Sequence, residues 1–188
     1  GNSTAGAGGG IYNTSSSSPV LSNANINNNS AANGAGIYNI DNSSPVFTDV
    51  TINNNTATAS GGAVYSTGTS SPKLTNVNVS GNSSGANGGG IYNGNSSTPT
   101  FTNVIVRGNK AAADGAGMYN ETSSAPILTN VTVSGNWAVA NGGAMYNKNS
   151  LPKIYNSILF GNSSGVYNSS SNPAFYGSLV QSTGVSSS

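Results

Sequence analysis

Four acidic side chains (Asp41, Asp49, Asp114 and Glu121) and five basic ones (Lys73, Arg107, Lys110, Lys148 and Lys153) carry nearly all the ionisable chemistry this 188-residue chain offers outside its tyrosines. Two carboxylates flanking one bond would hydrolyse a glycoside. An Asp-rich calcium site beside a basic residue would serve a polysaccharide lyase. The spacing supports neither. Asp41 follows one tyrosine by three residues, Glu121 follows another by two, Asp114 precedes one by five, and Asp49 replaces an asparagine in a repeated position. The chain has no histidine, the commonest general base and metal ligand. It has no cysteine, so disulfides and thiolate metal sites are excluded. No catalytic residue, metal ligand or cofactor site is expected, and the chain reads as a non-enzyme because the groups that acid–base chemistry requires are missing.

What repeats instead is tyrosine, proline and asparagine. Seven tyrosines fall at 12, 38, 65, 92, 119, 146 and 167, and proline at 19, 45, 72, 99, 126, 152 and 173, in steps of 26 or 27 until a last step of 21. Ten residues after each of the first six prolines stands Asn29, Asn55, Asn82, Asn109, Asn136 or Asn162. A fixed period of this size marks a repeat architecture. Each unit divides into three legs, and the proline-to-asparagine leg is constant at ten residues. That constancy predicts the best-paired strand there, with the turns in the two variable legs. Along it, aliphatic or aromatic residues recur at the second, fifth and seventh positions after proline, as in Leu74, Val77 and Val79. Alternation of this kind puts the fifth and seventh on one strand face, and β-branched residues suit such a face. The tyrosine leg reads glycine or alanine, then an aliphatic residue, then Tyr-Asn, as in Gly88-Gly-Gly-Ile-Tyr-Asn93. The aliphatic residue is expected inward and the tyrosine outward.

Apolar spacing of two, with many β-branched residues, glycines and asparagines, excludes helical repeats. The predicted fold is all-β, a right-handed parallel β-helix of about seven coils of ~27 residues with three short strands per coil. It fills 1–180 as a single domain, with a partial leading coil at 1–7, a shortened last coil at 163–180 and a tail at 181–188. Stacked coils line identical residues along the axis. Six tyrosines (Tyr12, Tyr38, Tyr65, Tyr92, Tyr119 and Tyr146) then form an aromatic column, either packing on one another or offering a face to sugars or a partner chain. Three asparagine columns follow, each able to bond along the axis as amides do in cross-β ladders. One is the set ten residues after proline. A second, four after proline, holds Asn23, Asn76, Asn103 and Asn130. The third, just after tyrosine, holds Asn13, Asn39, Asn93, Asn120 and Asn147.

Only 5% of residues are charged, and the basic ones are scattered, so no nucleic-acid partner is expected. No apolar run reaches the ~20 residues of a membrane-spanning helix. The absence of an initial methionine reads as a mature or excised segment. The threonines after proline (Thr48, Thr75, Thr102 and Thr129) make one file rather than the paired grid expected of an ice-binding face.

Gly61-Gly-Ala-Val64 and Gly142-Gly-Ala-Met145, with Val79-Ser-Gly-Asn82 and Val133-Ser-Gly-Asn136, resemble the repeats of chlamydial polymorphic outer-membrane proteins, with aliphatic residues in place of their phenylalanine. The Gly-Gly-Gly-Ile-Tyr-Asn and Leu-Thr-Asn elements are more similar to repeat arrays of secreted bacterial surface proteins of the choice-of-anchor type. The resemblance implies a bacterial extracellular or cell-surface location and a structural or adhesive role. The partners to expect are the rest of a longer surface protein or further copies stacked head-to-tail into a filament, with glycans bound at the tyrosine column as the alternative. Polysaccharide cleavage and ice binding are the remaining readings.

Overall fold

The structure, a computed structural model, describes residues 1–181. Each coil adds one strand to each of three seven-stranded parallel sheets. The first runs from Ile11–Asn13 to Val166–Ser169 and carries the tyrosines, the second from Val20–Ser22 to Ala174–Tyr176, and the third from Asn25–Asn27 to Leu179–Val180. Corresponding residues of successive coils pair in register throughout: Tyr65 opposes Tyr92, which opposes Tyr119, and Leu74 opposes Phe101, which opposes Leu128. The all-β solenoid expected from the repeat is therefore present, with its coils stacked in one register.

The constant ten-residue leg is not one strand. It bends at its fourth residue and divides between the second and third sheets. At that bend Asn23, Asp49, Asn76, Asn103, Asn130 and Asn156 all have φ between 49° and 55°. Asparagine tolerates this left-handed conformation better than other side chains, so the repeated asparagine marks a corner within the leg. A second left-handed corner follows five residues on, at Asn28, Asn54, Gly81, Gly108, Gly135 and Gly161. The long variable leg supplies a fourth, five-stranded sheet of two-residue strands, from Ser30–Ala31 to Trp137–Ala138. It stops there because the next coil is short by five residues in this leg. The other three sheets carry on across the deletion, with Tyr146 opposite Tyr167 and Ile154 opposite Phe175.

The interior is a stack of aliphatic and aromatic layers. Ile37, Val64, Ile91, Met118 and Met145 project inward from the first sheet, Phe47, Leu74, Phe101, Leu128 and Ile154 from the second, and Ile52, Val79, Val106, Val133 and Leu159 from the third. The small residues before each tyrosine allow coils to approach closely: a Cβ added to Gly117 would lie 2.4 Å from the Ala144 carbonyl oxygen. Alanines in these two columns accordingly never oppose one another. Ala63 lies between Gly36 and Gly90, and Ala116 between Gly89 and Gly143. The leading residues join the stack through Ser3, which bridges Ser30. At the other end Gln181, assigned to the tail from sequence, belongs to the last coil; 182–188 lie outside the described residues.

Candidate functional site

The repeated polar side chains form hydrogen-bond ladders. In the column ten residues after proline, Asn29, Asn55, Asn82, Asn109, Asn136 and Asn162 are all buried. Each Nδ2 from Asn29 to Asn136 donates to the Oδ1 of the next coil at 2.9–3.0 Å, and the same Oδ1 accepts the backbone N–H of the asparagine before it. From Asn55 onward Nδ2 also reaches a backbone carbonyl of the preceding coil. The strand turns here, which leaves backbone groups that the sheets do not pair, and the asparagine supplies their partners. The last rung is closed by Gln181, whose Oε1 accepts the Asn162 N–H at 3.0 Å and whose Nε2 donates to the Asn162 carbonyl at 3.2 Å.

The column after tyrosine is also buried as far as Asn147, and bonded from Asn13 through Asn39 to Ser66, and from Asn93 through Asn120 and Asn147 to the half-buried Asn168. Ser66 interrupts it. The serine accepts from Asn39 at 3.2 Å, but the buried Asn93 Oδ1 has no partner. A buried unpaired acceptor costs about 1–3 kcal/mol. Ser66→Asn is therefore expected to stabilise the chain by about 1.5 kcal/mol and to raise its melting temperature by about 5 °C, measured by thermal denaturation; a fall would contradict the gap. The corner column four after proline is exposed and runs in the opposite sense, Asn76 to Asp49, Asn103 to Asn76 and Asn130 to Asn103, at 3.0–3.2 Å. Exposed amide pairs contribute less than buried ones.

Two further columns went unread in the sequence although their periodicity is visible there. A serine stands two residues before every proline, and from Ser43 to Ser150 it is buried. Five residues before tyrosine, Asn33, Ser60, Asn87 and Asp114 each accept the backbone N–H of the next coil.

All four acids are taken up by such interlayer contacts. Asp49 accepts from Asn76, Asp114 from the Asn141 N–H at 2.8 Å, and Asp41 from the Thr14 hydroxyl at 2.9 Å. Glu121 lies beside the tyrosine column, where its carboxylate accepts from the hydroxyls of Tyr92 and Tyr119, the latter at 3.4 Å, with Lys148 Nζ 4.0 Å away. Sequence spacing did not show this cluster, because Glu121 and Tyr92 sit on different coils 29 residues apart. No group of three or more potential metal ligands occurs among the described residues.

Seven of the nine tyrosines, including Tyr167, form one stack with centroids 4.3–5.3 Å apart and planes within 16° of parallel, while Tyr155 and Tyr176 pair separately on the second sheet. They lie on the outer face of the first sheet, yet they are not an open platform. Tyr12 is 52% exposed, whereas Tyr92 and Tyr119 are 8% and 4% exposed. From Tyr38 to Tyr146 both faces of each ring are occupied by its neighbours, and those faces are what a sugar would stack on. Burial pushes the Tyr92 and Tyr119 hydroxyls well above the usual tyrosine value, and the Glu121 carboxylate adds to the shift. A neutral phenol is favoured in the folded state, so its contribution is complete below the ordinary value of about 10 and is lost as pH rises beyond it. Ultraviolet titration is expected to show these two rings ionising only together with alkaline unfolding; independent ionisation of all tyrosines near the ordinary value would contradict their burial.

Comparison with known proteins agrees with the coil geometry. The family described as the right-handed β-helix region matches residues 62–187, well over half the chain. The chain belongs to the right-handed β-helix family. Within this β-helix, residues 49–67 also match the Chlamydia polymorphic membrane protein repeat. That stretch holds the Gly61-Gly-Ala-Val64 element on which the resemblance rests. No curated protein and no solved structure matches the chain.

Proposed function

We propose that this β-helix is a structural module of an extracellular, cell-surface protein, a stiff rod that spaces or displays other parts and performs no catalysis. The observation that carries this reading is the commitment of the polar side chains: all four acids and the buried asparagines are engaged in bonds between layers. The match to a repeat of a polymorphic membrane protein supports the surface location. Seven layers at the ~4.8 Å strand spacing give a rod of roughly 30 Å, and every further coil would extend the same sheets and ladders. Copies stacked end to end would use the same register. The stacked ring faces give no support to a sugar platform on the tyrosines.

Antibodies against the purified chain are expected to label intact producing cells; labelling only after lysis would overturn the extracellular part of the proposal. A rod of equivalent layers also tolerates loss of one. Excising 85–111, a single in-register coil, should leave a folded protein shorter by about 4.8 Å, measured by small-angle scattering and circular dichroism. An unfolded product would contradict the modular reading, and electron microscopy at high protein concentration would separate dispersed rods from filaments.

A further inference from the structure

Asparagine followed by glycine is the pair at which a side-chain amide is lost most readily, because glycine carries no side chain to hinder attack by its own nitrogen. The chain has four such pairs: Asn33-Gly34, Asn87-Gly88, Asn93-Gly94 and Asn141-Gly142. All four glycines are buried, so burial does not separate them. Hydrogen bonding separates them. Gly34 N–H donates to the Ser60 carbonyl at 3.0 Å, Gly88 N–H to the Asp114 carbonyl at 3.1 Å and Gly94 N–H to the Ser66 carbonyl at 2.9 Å. Gly142 N–H has no hydrogen-bond partner among the described residues.

The side-chain amides differ in the same way. Asn33 Oδ1 accepts the Ser60 N–H at 3.1 Å, Asn87 Oδ1 accepts the Asp114 N–H at 3.2 Å, and the buried Asn93 donates from Nδ2 to Asn120. Asn141 is held through its backbone alone, its N–H donating to Asp114 Oδ1 at 2.8 Å and its carbonyl accepting from Gly115. Its side chain is exposed and unbonded among the described residues. The cause is the short coil above it. From Asn162 to Tyr167 the chain takes five residues instead of the usual ten. The position five before Tyr167 therefore falls on Asn162 itself, the inner-ladder rung, and no residue is left to cover Asn141 or to accept from Gly142. Interlayer bonding resumes at Gly143, whose N–H reaches Ser164 Oγ at 2.8 Å.

We propose that Asn141 is a site of spontaneous covalent modification, the Asn-Gly pair that the stacked layers leave open to deamidation. Gly142 nitrogen gives its proton to hydroxide and attacks Asn141 Cγ, forming the C–N bond of a five-membered succinimide, and the side-chain nitrogen leaves as ammonia. Water then adds to one of the two ring carbonyls and reopens the ring. One opening gives aspartate at 141. The other gives isoaspartate, in which the backbone runs through the former side-chain carbonyl. Either product puts a carboxylate one layer from Asp114, in the column where Asp114 already accepts from this residue. Isoaspartate also inserts a methylene into the backbone of the coil at which the fourth sheet ends. The rod is thus altered first at its one step in coil length.

The folded chain and the same chain in concentrated urea, both held at mildly alkaline pH and mapped by peptide mass spectrometry, test this. Urea separates the layers, so all four pairs are expected to deamidate there at similar rates. In the folded protein Asn141 should be lost about tenfold or more faster than Asn33, Asn87 and Asn93, whose layers must first open. Chromatography of the peptide should resolve both aspartate and isoaspartate at 141, since the ring opens at either carbonyl; direct hydrolysis of the amide would give aspartate alone. Asn141→Ser copies Ser60, which accepts the Asn87 N–H in the same column, and should leave the folded chain without an early deamidation product. Two results would each overturn the proposal: survival of Asn141 in the folded chain over the time in which the urea sample loses it, or loss of Asn33 or Asn87 in the folded chain as fast as Asn141.

Discussion

Replacing Asn109 by alanine is expected to destabilise the protein by about 4 kcal/mol, more than any substitution of an exposed polar residue. Its side chain makes four hydrogen bonds in a buried setting: Oδ1 accepts from Asn82 N–H and Nδ2, and Nδ2 donates to Asn136 Oδ1 and to the Val79 carbonyl. Alanine removes all four and leaves the Asn82 N–H and the Val79 carbonyl buried without these partners. Each such group costs about 1–3 kcal/mol. The melting temperature should fall by about 10 °C. Asn130→Asp, on the exposed corner ladder, keeps the left-handed backbone preference and loses only a solvated bond to Asn103, so it should cost below about 1 kcal/mol. Denaturant titration of both variants measures the difference, and equal effects would show that the inner ladder is no stronger than the outer one.

Phe101→Ala is expected to be of similar size, about 4 kcal/mol, through cavity formation. Phe101 is buried between Leu74 and Leu128 in the second sheet. Those neighbours are fixed by pairing on both sides, so the layers have little freedom to collapse into the space. Phe101→Leu, which copies the coils on either side, should cost only about 1 kcal/mol. A small effect of alanine in chemical denaturation would mean that the stack relaxes along its axis. The two substitutions test the two materials of the rod, amide ladders at the corners and apolar layers inside.

How far the sequence reached can be seen residue by residue. The recurrence of Tyr65, Tyr92 and Tyr119 at one period was enough to place them on adjacent layers, and they stack there. The inward aliphatic residues, such as Val79 and Val106, followed from alternation. The corner at Asn76 did not, because an asparagine flanked by strand formers reads equally well as a position within one strand; its left-handed backbone is visible only once the chain has turned. The break at Ser66 was legible as a substitution, but its consequence, an unpaired Asn93 oxygen, depends on side-chain geometry across layers. The unread serines two residues before proline were as periodic as the tyrosines, and only their burial gives them meaning.

Period and residue type, acting locally, determined that this chain forms short strands of fixed spacing, and a fixed spacing in a parallel stack dictates which residues meet. The tertiary structure alone decided what those meetings produce. It brought Glu121 to Tyr92, covered the central tyrosines and gave every acid an interlayer partner. The reason is physical: periodicity fixes position along the axis, whereas burial and hydrogen bonding depend on the direction in which each coil turns its corners, and that direction is set by the packing of neighbouring layers.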